Sequence, residues 1–280
     1  MKPIITPQEL RALKHSNTSF VLIDATNSKV ARENYDNQHL DGSIFVDGNT
    51  QLAEIGEDAS KGGRHPLPSV EKFGQSLQDL GITPDSHVII YDTVFGGNSA
   101  ARFWWMLTAV GHQKVQVLSG GMAAAEKVGY LVNNNKVKIS EVGVYPTTVW
   151  QLPLADINEI EANTEREDYI VIDVREENRY KGISEPIDTV AGHIPGAVNI
   201  PYMSNLDSEG LFLSEELLRE KYSAVLNNYS AENSAVHCGS GITACHTLLA
   251  ITAAGLPTPK LYVGSWSEWS RSGKTIATDK

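Results

Sequence analysis

Apolar positions along this chain come in short unbroken runs, and the stretches between them carry helix-start signals and helical spacing. Phe20-Val21-Leu22-Ile23-Asp24, His87-Val88-Ile89-Ile90-Tyr91-Asp92 and Val115-Gln116-Val117-Leu118 read as strands covered on both faces. Thr6-Pro7-Gln8-Glu9 supplies an N-cap hydroxyl, a proline suited to the first turn and a glutamate placed for a capping box; Leu10 and Leu13 form the apolar face. His39-Leu40-Asp41-Gly42-Ser43 is a turn before Ile44-Phe45-Val46. Ser69 heads a helix to about Leu80, and Ala100 to Val110 is apolar enough for a buried helix.

The second half repeats this order. Asp156 and Glu159 stand about 150 positions after Thr6 and Glu9, and Tyr169-Ile170-Val171-Ile172-Asp173 repeats the strand ending at Asp24. His193-Ile194-Pro195-Gly196-Ala197 repeats the turn at His39, and Ser214 heads a helix as Ser69 does. Ala235-Val236-His237-Cys238 stands where Ile89-Ile90-Tyr91-Asp92 stood, and Gly264-Ser265 answers Gly120-Gly121. A spacing this long implies a duplicated domain, because solenoid repeats are far shorter. Strands alternating with helices predict the α/β class, each half a mostly parallel sheet with helices on both faces. Tyr145-Pro146 and Leu152-Pro153 break regular structure between Glu141 and Pro153, so the expected domains are 1–150 and 151–280.

Composition narrows the function classes. The chain is 41% apolar and 20% charged, which suits two globular cores. A formal charge of −11 offers no basic stripe to nucleic acid and no attraction to anionic membranes. No apolar stretch approaches the roughly 18 residues of a membrane span, and Met1-Lys2-Pro3-Ile4-Ile5-Thr6 lacks the features of a signal peptide. The only cysteines, Cys238 and Cys245, are separated by a turn and a helix start; a reduced, cytoplasmic chain is expected.

The candidate chemistry lies in His237-Cys238-Gly239-Ser240-Gly241-Ile242-Thr243-Ala244. A strand, Ser234 to His237, feeds a glycine-containing turn, and Ala244 to Ala254 has the composition of a buried helix. A thiol so placed faces backbone N–H groups and the positive end of a helix dipole, conditions that favour a thiolate nucleophile. The first copy has Asp92 at the matching position and a longer loop, eight steps to Ala100 against six from Cys238 to Ala244. One half is expected to carry the chemistry and the other to support it.

Taken together, Tyr91-Asp92 with Arg102-Phe103-Trp104-Trp105, Gly111-His112, Asp173-Val174-Arg175, Gly192 to Ala197, the Cys238 loop and Gly264-Ser265-Trp266-Ser267-Glu268-Trp269 resemble the tandem-domain rhodaneses, the thiosulfate and 3-mercaptopyruvate sulfurtransferases. The resemblance covers essentially the whole chain. It implies two rhodanese-like domains, an inactive first and a catalytic second. Cys238 would take a sulfane sulfur from a small-molecule donor as a persulfide and pass it to a thiol, such as thioredoxin, or to cyanide. No metal or organic cofactor is needed, because the enzyme sulfur is the carrier. Cys-Gly-Ser-Gly-x-Thr resembles the mercaptopyruvate type, whereas the thiosulfate type usually carries basic residues after the cysteine.

Other positions take their roles from the same resemblance. Ser240 matches a residue of proton transfer, its alternative being a turn hydroxyl; His65 matches a histidine working with that serine, its alternative an isolated surface residue. Arg179 matches an arginine that holds the donor carboxylate. Gly239, Gly241, Ile242 and Thr243 present backbone N–H groups to donor and persulfide, and Thr243 can equally be an N-cap. Two helpers are missing: Glu185-Pro186 is followed by Ile187-Asp188 rather than an arginine, and Asn49 stands where an acid is expected unless Asp47 substitutes. His237, His193 and Asp173 read as architectural, with Asp173 and Arg175 an internal ion pair. Cys245 reads as packed, with a resolving thiol as the alternative.

Three rival readings are weaker. A cysteine phosphatase needs an arginine six positions after the nucleophile to clamp phosphate, and Ala244 stands there. A metal site from His237, Cys238 and His246 lacks a convincing fourth ligand. A non-catalytic sulfur carrier or binding module fits the missing arginine but not the intact loop.

Overall fold

A computed structural model describes residues 1–16 and 18–279. The chain divides into two compact units. The first comprises Met1–Glu54, Pro68–Gln151 and Asp207–Phe212; the second comprises Ile55–Leu67, Leu152–Leu206 and Leu213–Lys280. The main cut falls after Gln151, but the segment Ile55–Leu67, which carries Arg64 and His65, packs with the second unit.

The first unit contains β1 (Ile4–Ile5), α1 (Pro7–His15), β2 (Val21–Asp24), α2 (Ala31–Asn37), β3 (His39–Leu40), β4 (Ser43–Phe45), α3 (Val70–Asp79), β5 (Val88–Tyr91), α4 (Ala100–Ala109), β6 (Val115–Leu118), α5 (Gly121–Lys127) and β7 (Val132–Asn133). Its main sheet is parallel, in the order β1-β6-β5-β2-β4. Leu10, Leu22, Ile89, Tyr91 and Leu118 are among the residues that fill one side of it. The second unit contains β8 (Leu154–Ala155), α6 (Ile157–Asn163), β9 (Ile170–Asp173), α7 (Glu177–Tyr180), β10 (Val198–Asn199), α8 (Glu215–Leu226), β11 (Ser234–His237), α9 (Thr243–Ala253), β12 (Lys260–Tyr262) and α10 (Ser265–Trp269). Its parallel order, β8-β12-β11-β9-β10, matches the first unit strand for strand. Val171, Ala235, Tyr262, Trp266 and Trp269 lie in its core.

The repeated signals produce repeated local structure. Thr6 and Glu9 make the reciprocal capping box, and Ser69 and Ser214 accept the N–H groups of Lys72 and Leu217. Asp156 also caps its helix, but Glu159 does not complete the box: its carboxylate takes Tyr169 Oη at 2.9 Å and Lys260 Nζ at 2.5 Å. His39 and His193 each donate from Nδ1 to a tyrosine carbonyl, of Tyr35 and Tyr180, and stack on that tyrosine at 4.0 and 3.8 Å. Among the described residues no helix is long and apolar enough to cross a membrane.

Candidate active site

Cys238 leaves the sheet at the carboxyl end of β11, its middle strand. The chain runs from β9 to β10 on one side of this strand and from β11 to β12 on the other, so Cys238 stands at the point where strand order reverses, the usual ligand position in an open parallel sheet. The turn 238–242 is bolted to the segment before α10. Cys238 N–H donates to Ser265 Oγ at 3.2 Å, while the carbonyls of Cys238 and Gly239 accept the N–H groups of Trp266 and Ser267 at 3.0 and 2.9 Å. Ser265 adopts φ +55, an uncommon left-handed conformation for a residue with a side chain, and its hydroxyl donates to Tyr262 O. Gly241 has φ +74, and a Cβ there would lie 2.6 Å from the Val263 carbonyl oxygen. Only glycine passes that point without strain. Ile242 and Thr243 begin α9, whose residues from Ala244 to Ile251 are buried all round. Ile242 is the N-cap residue and Thr243 the first helical one, so the hydroxyl of Thr243 is not the cap.

Ser240 is buried and lies 2.8 Å, Oγ to Nδ1, from His65. Cys238, Ser240 and His65, far apart in sequence, are thus brought together inside the second unit. Asn49 and Asp47 belong to the first unit: Asn49 Oδ1 accepts from Asn27 Nδ2, and the Asp47 carboxylate caps the N–H groups of Asn49 and Thr50.

Arg179 lies beside Gly239, and so does Arg64, which the sequence reading did not single out. A Cβ on Gly239 would be 3.1 Å from Arg64 Nη2 and 3.3 Å from Arg179 Nη2, so the glycine lets both guanidinium groups reach the loop. Glu185 accepts the N–H groups of Ile187 and Asp188, a tight turn whose Asp188 carboxylate is fully buried. Asp188 takes Arg64 Nε at 3.1 Å, Arg179 Nη2 at 3.4 Å and Arg271 Nη1 at 2.8 Å. Arg64, held by Asp188, thus brings a second guanidinium to the Gly239 loop beside Arg179, although no arginine follows Glu185-Pro186. A clue was available in the sequence: Arg64 immediately precedes His65.

Behind the loop, His237 pairs in register with Asp173 across β11 and β9. Its Nδ1 donates to Cys238 O at 3.1 Å, and Nε2 lies 3.6 Å from Asp173 Oδ2, both side chains fully buried. Burial pushes the imidazole below its ordinary pKa of 6.5. Burial alone would raise the Asp173 carboxyl, but the charges of His237 and Arg175 outweigh it, and Asp173 sits below the usual range. Arg175 is the bonded partner of Asp173: its Nε lies 3.0 Å from each Asp173 oxygen, and its guanidinium covers the Trp266 ring. The pair is architectural in geometry: it stiffens the strand end that carries the cysteine. Cys245 is buried on α9, its thiol donating to Gly241 O at 3.4 Å. His246 Nδ1 is met by Asn205 Nδ2, and the described residues contain no group of His, Cys, Asp or Glu placed to hold a metal ion.

The first unit's matching loop is built around its own anion. The Asp92 carboxylate accepts the backbone N–H groups of Val94, Gly96, Asn98 and Ala100 at 2.8 to 3.2 Å. A turn that gathers successive amides onto one anionic group is an anion nest. In the first unit a fixed carboxylate fills it.

The rhodanese-like domain family matches residues 6–127 and again 156–272. The chain is 38% identical over 238 residues to a probable 3-mercaptopyruvate sulfurtransferase of Pseudomonas aeruginosa, covering 84% of this chain and 82% of that protein. It is 34% identical to the thiosulfate sulfurtransferase of Rattus norvegicus, covering 87% of this chain and 81% of that one. The solved 3-mercaptopyruvate sulfurtransferase of Leishmania major superposes with a TM-score of 0.82 at 27% identity, over 96% of this chain and 74% of that one. The sheets, the duplicated order and these matches agree: the chain belongs to the rhodanese-like family, with the family's domain present twice.

Proposed function

We propose that the protein is a sulfurtransferase, that its second domain is catalytic and its first is not, and that 3-mercaptopyruvate is its donor in preference to thiosulfate. The observation that carries this reading is the convergence beside Cys238 of a hydroxyl–imidazole pair, Ser240 and His65, with two guanidinium groups, Arg64 and Arg179. The arginines hold the donor carboxylate through charge-assisted bonds. The Cys238 thiolate attacks the donor sulfur, the carbon–sulfur bond breaks, and its electron pair leaves as the enolate of pyruvate. The donor's thiol proton travels through Ser240 and His65 to that enolate. N–H groups of residues 239–243 steady the persulfide anion, as those of the first unit steady Asp92. An acceptor thiolate then attacks the outer sulfur, leaves as a persulfide and restores the Cys238 thiolate.

A reduced thiol acceptor such as thioredoxin and a cytoplasmic setting suit a chain whose chemistry depends on a reduced cysteine. The charge of −11 supports neither nucleic acid nor membrane as a partner. The deciding experiment treats purified protein with 3-mercaptopyruvate and reads its intact mass. A gain of one sulfur atom that C238S abolishes is expected, together with pyruvate release. Full turnover by C238S overturns the assignment of the nucleophile, and a strong preference for thiosulfate overturns the choice of donor.

A further inference from the structure

We propose that Asp188 is a specificity-determining residue that tunes the site to donors carrying a single negative charge. The inference rests on the reading of the site as a sulfurtransferase. The Asp188 side chain is fully buried; its carboxylate faces Arg64, Arg179 and Arg271, and two of these line Gly239. Arg179 also binds Glu185 through Nε at 2.9 Å and Nη2 at 2.8 Å, and Glu185 in turn meets Arg175, which is paired with Asp173. This connected network holds four guanidinium groups against three carboxylates, leaving one positive charge in excess.

The Cys238 thiolate balances that excess before a donor arrives, so 3-mercaptopyruvate, a monoanion, adds one uncompensated negative charge and thiosulfate, a dianion, adds two. Buried ion pairs tolerate unbalanced charge poorly, because water is not there to screen it. Removing the Asp188 charge leaves two positive charges in excess, and the gain for a dianion is twice that for a monoanion. At an effective dielectric of about 20, a unit charge within about 10 Å changes binding by at least roughly tenfold. Arg271 gives the opposite lever. It reaches Asp188 Oδ1 and the Ser267 carbonyl rather than the loop, and it is partly exposed, so the fold can lose it.

The test compares the parent, D188N and R271Q, with kcat/KM measured for thiosulfate and for 3-mercaptopyruvate and cyanide as the common acceptor. D188N is expected to raise the thiosulfate-to-mercaptopyruvate ratio at least about tenfold, and R271Q to lower it several-fold. Shifts of opposite sign are a result that mere loosening of the site does not give. A ratio unmoved in both variants, or moved the same way in both, overturns the proposal. If D188N does not fold, R271Q decides alone: an unchanged ratio refutes. Sulfur uptake on Cys238 of the parent separates the two levels. A parent that takes sulfur from neither donor defeats the sulfurtransferase reading and this proposal with it, whereas a parent that takes it while the ratios stay fixed defeats only the role of Asp188.

Discussion

The two glycines flanking Ser240 make a paired prediction, because they are glycine for different reasons. In G239A the new methyl meets no backbone; it stands 3.1 and 3.3 Å from the tips of Arg64 and Arg179. Comfortable carbon contacts begin near about 3.5 Å, so each guanidinium must withdraw by a few tenths of an ångström. The backbone at 239 is not in the left-handed region, so the substitution carries no conformational penalty there and can gain up to about 1 kcal/mol through the unfolded state. Loss of one charge-assisted bond to the donor, worth about 1.5–3 kcal/mol, raises KM for 3-mercaptopyruvate about ten- to a hundredfold. G241A is the converse. There φ is +74 and the methyl would lie 2.6 Å from Val263 O, so a left-handed cost of about 1–2 kcal/mol adds to a backbone collision, about 2–4 kcal/mol in all. Calorimetry and pyruvate-release kinetics on both variants read the outcome. Expected are a Tm unchanged or raised by up to about 4 °C with raised KM for G239A, and a Tm lowered by roughly 5–15 °C for G241A. Equal losses of Tm in the two, or a G239A effect confined to kcat, would refute the reasoning.

Other predictions follow from the same geometry. S240A removes the hydroxyl that meets His65 and should cut kcat with 3-mercaptopyruvate about 10²-fold or more, while thiosulfate, which has no thiol proton to move, loses far less; equal losses with both donors would remove Ser240 from proton transfer. R175M leaves the fully buried Asp173 without its guanidinium, and denaturant melts should show a loss of about 3–5 kcal/mol. The pH dependence of stability has one sign for both buried partners, since each folded pKa lies below its ordinary value. The contribution of His237 is complete above its ordinary pKa of 6.5 and is lost as pH falls toward the folded value; that of Asp173 is complete above 3.8 and is lost below it. Melts of the parent should therefore weaken below about pH 6.5 by up to about 1.4 kcal/mol per pH unit, and H237Q should flatten that limb alone.

Much of this protein is legible from the chain alone, because the signals are local. Strand runs, N-caps and the two His turns depend on residues a few positions apart, and the duplication repeats them in order. The thiol at a strand end before a buried helix is also a local pattern, as is its replacement by Asp92. The local rule failed at Glu159, where the capping-box spacing is present but Tyr169 and Lys260 offer the carboxylate better partners. Those partners arrive only with the fold.

What tertiary structure decided is which distant residues share the site. A division near residue 150 leaves His65 in the first half of the sequence, yet Ile55–Leu67 packs with the second unit and brings Arg64 and His65 to the Cys238 loop. The sequence by itself determined the repeat, the α/β class and the nucleophile candidate, since short-range spacing encodes all three. It showed that Ile187-Asp188, and no arginine, follow Glu185-Pro186. Only the fold turned Asp188 inward onto three arginines, because a buried carboxylate must gather its counter-charges from wherever packing supplies them.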